Sequence, residues 1–199
     1  LPPLARHQAG PAMDEAYALL KYFYPECSVF GYPSGDTCGS WAAPPGWQVK
    51  YARLIEPSGQ IIADYDAHPL RLFTYSPSFS GRLTREELEQ HLLSDPLRPD
   101  AIPFHFRNQY RHWAPEWGFC LTQRERDALQ DGTYEIEIQT EFSESEMKMA
   151  LQTHEGENSD CLLLVGHFDH PAMAGDGLIG CLAGHEVINR LAQVETRLT

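Results

Sequence analysis

The feature that most constrains the fold is a continuous apolar run, Cys161-Leu162-Leu163-Leu164-Val165. Runs without polar alternation are typical of a central strand that helices cover on both faces. A loop rich in histidine and aspartate follows, and a helix is predicted from about Gly177. The buried face of that helix is expected to carry Ile179, Leu182, Val187, Ile188 and Leu191. These elements predict the first half of a βαβ unit whose second strand this sequence does not contain.

The spacing of apolar residues changes along the part of the chain that precedes this run. Apolar residues three or four apart predict a surface helix over 11–24. Residues 27–47 are rich in Gly, Pro and Ser, and predict an irregular loop. Period-two alternation then predicts an antiparallel sheet, with Trp47, Val49 and Tyr51 on one face. Its other expected strands cover residues 60–64 and 70–75. Two further strands are expected at 134–138 and 147–151, the last with Met147 and Met149 facing the core.

Two capping boxes mark short helices within this β-rich region. Thr84 with Glu87 predicts a helix that begins at Arg85 and stops before Pro96. Thr122 with Glu125 predicts a second one that Asp131-Gly132 terminates. The predicted fold class is therefore α/β, or α+β for the chain as a whole. An antiparallel β-rich part would come first, and the strand, loop and helix would follow it.

Charge and cysteine content exclude several classes of partner. The chain has 28 acidic and 15 basic residues, a formal net charge of −13, so its surface repels phosphate backbones and anionic headgroups. Nucleic acid and membranes are therefore not expected partners. No run reaches the roughly 20 apolar residues of a membrane span, and residues 1–13 lack a signal-peptide pattern, so a cytoplasmic location is expected. The five cysteines are odd in number and form no CxxC pair, which favours reduced thiols.

The loop after the apolar run holds the main candidates for chemistry. His167, Asp169, His170 and Asp176 lie within ten residues, at the carboxyl end of the predicted strand, where open α/β sheets bind ligands. Zinc prefers imidazole and carboxylate ligands, and a carboxylate two residues after a histidine can orient its ring. Asp176, just before the helix, could bridge two metal ions. The alternative is that Asp176 only caps the helix and that the histidines are polar loop residues.

Other polar residues have weaker patterns. His185-Glu186 lies in the final helix without an HExxH motif, which favours a solvated helix face. Ser34 is expected in a turn, because no GxSxG elbow surrounds any serine. Four basic side chains in an aromatic passage could line a substrate cleft, although packing and surface positions are the favoured interpretation: His105, Arg107, Arg111 and His112.

A succession of short motifs extends over most of the chain. In order they are PSG (33–35), PPGWQV (44–49), YSPSFSG (75–81), LTREEL (83–88), IPF (102–104) and WGFC (117–120). This succession resembles a bacterial group of aminopeptidase-like zinc peptidases, of the zinc-exopeptidase clan and leucine-aminopeptidase type. The metal loop of that group has a CHP…AND.LSG-like pattern, and the corresponding text here is DHP (169–171) and AGDGLIG (174–180). The chain departs from the pattern at Asp169 for Cys, Gly175 for Asn and Ile179 for Ser.

The resemblance implies that the chain is the start of a zinc-exopeptidase α/β/α fold with an inserted, uncharacterised β-rich domain. The expected boundaries are 1–33 for the first helix and linker, 34–145 for the inserted domain, and 146–199 for the first strands, metal loop and helix of the peptidase domain. One or two zinc ions are implied. Either His167 or His170 would bind the first ion, Asp176 would bridge to the second, and Asp169 would orient a ligand ring from behind.

The resemblance also implies that this chain does not complete a site. The general-base glutamate and the remaining ligands of the group would follow Thr199, so no catalytic residue is expected here. The expected function is zinc-dependent, aminopeptidase-like hydrolysis of a peptide or small amide, in partnership with a complementary C-terminal half or chain. Exposure of the strand edge at 161–165 would favour a homo-oligomer. The alternative, from another class, is a noncatalytic relative that binds a ligand or a protein.

Overall fold

The computed structural model describes residues 5–111, 113–158 and 160–194. It divides the chain into two compact units. The central unit is Pro44–Ser143, and the discontinuous unit combines Leu1–Ala43 with Glu144–Thr199. Helices and small, mostly antiparallel sheets occur together, so the predicted α+β class is confirmed.

Helices and strands alternate irregularly along the described residues. The helices are α1 (Pro11–Phe23), α2 (Arg85–Leu88), α3 (Arg107–Tyr110), α4 (Gln123–Asp127) and α5 (Ile179–Leu191). The strands are β1 (Ser28–Pro33), β2 (Thr37–Cys38), β3 (Trp41–Ala42), β4 (Gly46–Ile55), β5 (Ile61–Asp64), β6 (Phe79–Thr84), β7 (Leu92–Leu93), β8 (Phe119–Cys120), β9 (Thr133–Ser143) and β10 (Glu146–Leu151). No helix in the described part of the chain is long and apolar enough to cross a bilayer.

The central unit is built on a four-stranded antiparallel sheet with the order β5-β4-β9-β6. In β9 the predicted alternation is confirmed, because Tyr134, Ile136 and Ile138 are all buried. Leu88 and Phe119 pack against the same core from the connecting segments. Both predicted capping boxes are present, and each begins a helix where the sequence places it. The predicted extension of the first helix to Pro96 is wrong, because α2 ends at Leu88 and a 3-10 turn and β7 follow it.

A β-bulge in β4 changes which side chains face the core. Val49 pairs with Thr140 of β9 and Tyr51 pairs with the adjacent Gln139, so Lys50 is an extra residue in the ladder. Beyond the bulge the buried positions are Ala52 and Leu54. The prediction that Tyr51 shares a face with Trp47 and Val49 is therefore wrong, because one inserted residue reverses the alternation.

Three further predictions, for residues 70–75, 27–47 and Met149, are wrong. Residues 70–75 are not a strand: Pro69–Arg71 forms a 3-10 turn, and Tyr75 has a positive φ of 61°. Residues 27–47 are not an irregular loop throughout, since β1 pairs antiparallel with β10 along all six residues. On β10 the expected core position Met149 is 51% exposed, so that prediction is also wrong.

The apolar run at 161–165 differs most from its prediction. These residues belong to no strand among the described residues, and Leu163 and Val165 are 69% and 83% exposed. The final helix is present as α5, but none of its residues is buried. Ile179, Leu182 and Val187 are exposed, which corrects the predicted buried face. The apolar pattern indicates a covered surface, and nothing in the described part of the chain covers it.

Candidate functional site

The loop between Val165 and α5 gathers the three predicted metal ligands. His167, His170 and Asp176 each offer one ligand atom, and these atoms all lie within 4.8 Å of one another. The His167 and His170 rings are 4.5 Å apart between centroids, at an angle of 63°. The side chains of His167 and Asp176 are about half exposed, whereas that of His170 is mostly covered. A cation could therefore reach the cluster from solvent.

Asp169 lies behind both histidines, where it was predicted to orient a ring. Its Oδ1 is 3.2 Å from His167 Nδ1 and 3.4 Å from His170 Nδ1. On the other side of the first ring, His167 Nε2 is 2.9 Å from Asp176 Oδ1. With Nδ1–H donating to Asp169, His167 keeps its Nε2 lone pair for a cation beside Asp176.

The backbone of this loop is unusual in a way that fixes the ligand positions. His170 and Ala172 have positive φ angles of 85° and 57°, which are uncommon for residues with a Cβ. Gly177 has a φ of 107°, and a Cβ there would lie 2.5 Å from the Asp169 carbonyl oxygen. The tight approach of Gly177 to Asp169 closes the loop on itself. A side chain at position 177 would force it open.

Asp176 is not the N-cap of the helix. Its φ and ψ are −102° and 108°, outside the helical region, and α5 begins only at Ile179. The N-cap is Leu178, with no side-chain capping hydrogen bond. The capping alternative for Asp176 is therefore wrong, and its carboxylate lies beside His167 instead.

Arg6 is the main feature of the site that sequence reasoning missed. Its side chain is buried and donates to three main-chain carbonyls of the loop, those of Phe168 (3.0 Å), His170 (3.1 Å) and Met173 (2.6 Å). Burial lowers the pKa of Arg6 below its ordinary value, and the Asp169 carboxylate acts in the opposite direction. No sequence signal connects Arg6 to a loop more than 160 residues away.

Helix α1 supports the same loop from its buried face. Met13, Ala16 and Tyr17 form a small apolar cluster, and Phe168 packs against it. The Tyr17 ring lies 5.2 Å from the Phe168 ring, and Tyr17 donates to the Lys148 carbonyl at 2.7 Å. Burial raises the pKa of Tyr17 to about 12, so its hydroxyl stays protonated and available as a donor.

His185, on α5, has a structural environment. His185 Nδ1 lies 2.6 Å from Gln152 Oε1, its Nε2 lies 2.8 Å from Asn189 Nδ2, and its ring centroid is 3.9 Å from that of Tyr24. The side chain of His185 is only 16% exposed. The prediction of a solvated face is therefore wrong for His185, whereas Glu186 is exposed and pairs with Arg190.

In the central unit, His105 is a packing residue, as the favoured interpretation expected. Its ring is buried and stacks on Phe73 with centroids 3.8 Å apart, and burial lowers its pKa to about 4. Arg107 is exposed and pairs with Glu116, and Arg111 is also exposed. His112 lies outside the described residues. Ser34 exchanges hydrogen bonds with the Ser145 backbone beside a turn at Pro33, consistent with the predicted turn.

All five cysteines are free in the structure. Cys27 and Cys120 are buried and Cys38 and Cys161 are exposed, so they are not uniformly core residues. Burial raises the pKa of Cys120 to about 12, which excludes a thiolate nucleophile there. Cys181 lies near the metal loop, where its Sγ donates to the His167 carbonyl at 3.1 Å.

Comparisons with known proteins agree with this architecture. Residues 46–141 match a family described as a domain of unknown function (DUF2172). A protein of Clostridium acetobutylicum, provisionally named a polysaccharide biosynthesis protein with an aminopeptidase-like domain, is 25% identical over 195 residues. That alignment covers 98% of this chain and 44% of the relative.

A crystal structure from the same organism, provisionally described as a peptidase, superimposes with a TM-score of 0.83 at 24% identity. The superposition covers 99% of this chain and 46% of that protein. At this level of identity the likeness establishes the fold. The chain thus has the fold of a segment that makes up 46% of the protein in the crystal structure, and it spans 44% of the sequence relative.

Proposed function

We propose that this chain is the metal-binding part of a zinc-dependent, aminopeptidase-like hydrolase that acts on peptide or small amide bonds. The observation that carries the proposal is the convergence of His167, His170 and Asp176 in one loop. The provisional names of the two Clostridium proteins support the same class of enzyme. Under this proposal the discontinuous unit is the beginning of a zinc-exopeptidase α/β/α fold, and the central unit is its insertion.

The donor set fits zinc in chemistry and, for one pair, nearly in distance. Two ligands of one tetrahedral zinc lie roughly 3.4 Å apart, because zinc–nitrogen and zinc–oxygen bonds are about 2.1 Å long. His167 Nε2 and Asp176 Oδ1 are 2.9 Å apart, close to that separation. The distances among all three candidate ligand atoms extend to at most 4.8 Å, a limit wider than the separation of two ligands on one ion. Such distances fit a small closing movement of the ligands onto one ion, or division of the ligands between two ions roughly 3.5–4 Å apart.

Each residue of the loop has a distinct part in this proposal. Bound zinc would supply Lewis acidity toward the scissile carbonyl and would lower the pKa of an attacking water. His167 offers Nε2, and Asp176 offers a carboxylate that can be shared between two ions. Asp169 accepts from His167 Nδ1 and so fixes both the tautomer and the direction of the ring. Exposure of His167 and Asp176 leaves the cluster open to substrate.

The rest of the site would come from a complementary half. Zinc takes about four ligands, and water activation needs a general base, which we place in a later segment or another chain. The exposed apolar side chains at 161–165 and on α5 form the surface on which that half would pack. This chain spans 44% of the sequence relative and 46% of the protein in the crystal structure. A cytoplasmic location and a homo-oligomeric state stay predictions.

Zinc or cobalt titration of the chain tests the proposal. We expect weak binding, below one equivalent at micromolar metal, with loss of the cobalt absorption bands in His167→Ala. His154→Ala, which changes a histidine of the same unit outside the cluster, should bind as the wild type does. Addition of the second half of the Clostridium protein should raise the affinity. Equal binding by wild type and His167→Ala would refute the metal site.

A further inference from the structure

We infer that Arg6 is a positioning residue: its guanidinium clamps the carbonyls of Phe168, His170 and Met173 and so holds His167, His170 and Asp176 in the convergent arrangement. The inference rests on the proposed metal-binding function for its purpose. Its physical basis, however, is the set of three contacts from Nε and Nη2 of one side chain. Arg6 touches neither substrate nor metal in this role.

The three carbonyls are placed where the loop needs external support. They flank His170 and Ala172, the two residues with a Cβ that have positive φ angles. Non-glycine residues in such conformations persist only when their surroundings over-determine them. Arg6 bonds the carbonyl before Asp169, the carbonyl of His170 itself and the carbonyl after Ala172. One side chain therefore spans the whole strained part of the loop.

The chemistry of the clamp requires a guanidinium. Arginine presents five N–H donors in a rigid planar fork, so Nε and Nη2 can serve carbonyls at separate points along the loop. A lysine ammonium is a compact donor group that cannot reproduce that spread. The remaining features agree: Arg6 is only 6% exposed, and its Cζ lies 5.8 Å from the centre of the Phe168 ring. Burial of a charge costs free energy, and three carbonyl partners offset that cost here, which favours a structural role for Arg6.

The clamp also gives the segment before α1 a defined place in the site. Arg6 lies five residues before Pro11, where α1 begins, and Tyr17 of α1 packs against Phe168. Arg6 thus fixes the loop through its backbone carbonyls, and α1 fixes it through the side chain of Phe168. Loss of either anchor should let His170 rotate away from His167, while the rest of the unit keeps its fold.

Backbone ¹⁵N relaxation of the metal-free chain tests the clamp without any metal. In wild type, we expect order parameters near 0.85 for residues 168–176, typical of a rigid backbone. Arg6→Met keeps the aliphatic stem and removes the fork, and should lower these values to about 0.6 or less. Arg190→Met removes an exposed arginine of the same unit that pairs with Glu186 on α5, and should leave them unchanged.

The conservative variant keeps the test decisive if Arg6→Met does not fold. Arg6→Lys retains the charge and most of the stem, and should still lose order in 168–176 relative to wild type. Amide signals of β1 and β10, which pair within the discontinuous unit, report the folding of that unit in the same sample. Unchanged order parameters in a folded Arg6→Lys or Arg6→Met chain would overturn the inference.

A zinc competition experiment then separates the clamp from the proposed function. We expect at least a roughly tenfold loss of zinc affinity in Arg6→Lys, the size typical of lost outer-shell support. If wild type does not bind zinc but the loop loosens in Arg6→Lys, the proposed function fails and the clamp stands. If wild type binds zinc and the loop stays rigid in Arg6→Lys, the clamp is wrong and the proposed function stands.

Discussion

His105 shows how one buried side chain can make the stability of the central unit depend on pH. Its ring is 6% exposed and stacks on Phe73, and burial lowers its pKa to about 4, with Arg107 acting in the same direction and Glu116 in the opposite one. In the unfolded chain its pKa is near 6.5. Between these values the unfolded state binds more protons, so stability is full above pH 6.5 and falls as the pH drops toward 4.

We therefore predict that His105→Phe reduces the acid sensitivity of the chain. Phenylalanine keeps the stacking contact with Phe73 and cannot take up a proton. Urea unfolding of wild type should lose on the order of 2–3 kcal/mol from this residue between pH 7 and pH 4, and that loss should be absent in His105→Phe. His154→Phe serves as the control, since it should keep the wild-type dependence. Parallel pH curves for wild type and His105→Phe would contradict the assignment.

At the scale of elements, the bulge at Lys50 predicts different effects for two single-residue deletions in β4. Lys50 is an exposed extra residue, so its removal restores a continuous ladder from Val49 to Tyr51 and leaves Trp47 and Leu54 facing the core. Removal of Arg53 instead turns Leu54, which is fully buried, toward solvent. The Lys50 deletion should fold with a modest loss, and the Arg53 deletion should lose several kcal/mol.

Thermal unfolding of the two deletion variants, followed by circular dichroism, tests this difference in stability. The expected difference arises because a side-chain period of two tolerates the loss of a bulged residue but not of a paired one. Both deletions shorten the same strand by one residue, so each controls for the other. Similar melting temperatures for the two variants would mean that the register beyond Tyr51 is not set as the ladder indicates.

The same elements show which parts of the structure a sequence can predict. Helix α1 and both capping boxes depend on residues three or four apart, and these predictions are confirmed. The bulge in β4 and the pairing of β1 with β10 depend on distant partners, and local patterns predict neither. The apolar run at 161–165 indicates a segment that other elements cover, and the described residues do not cover it. The predicted strand is absent for that reason.

The candidate site divides in the same way. Residue type and spacing alone identify the four candidate site residues, because they are close in the sequence: His167, Asp169, His170 and Asp176. Their convergence depends on Gly177, whose close approach to Asp169 is a property of the folded loop. It depends also on Arg6, whose contacts span more than 160 residues. Residue types and spacing thus predict the candidate ligands, whereas the contacts of Gly177 and Arg6 that arrange them have no local sequence signal.

At the scale of the whole molecule, the central unit carries a complete core. The buried cluster that runs from Trp47 to Ile138 lies entirely within Pro44–Ser143, as do all four strands of its sheet. The family match at 46–141 covers nearly the same stretch. A segment with its own core and sheet meets the physical requirement for independent folding. A domain of about 100 residues is also within the usual size range.

We therefore predict that residues 44–143, produced alone, fold cooperatively. Calorimetry should give a single transition with an unfolding enthalpy of about 60–80 kcal/mol, as expected for about 100 residues. Near-ultraviolet dichroism should keep the signal of Trp47 stacked on Tyr75, whose ring centroids are 5.5 Å apart. The same fragment with Leu54→Asp is the control, because a charge at a fully buried position should abolish the transition. The fragment lacks the metal loop and should bind no zinc above background. A broad, noncooperative transition in the unaltered fragment would show that the central unit needs the rest of the chain to fold.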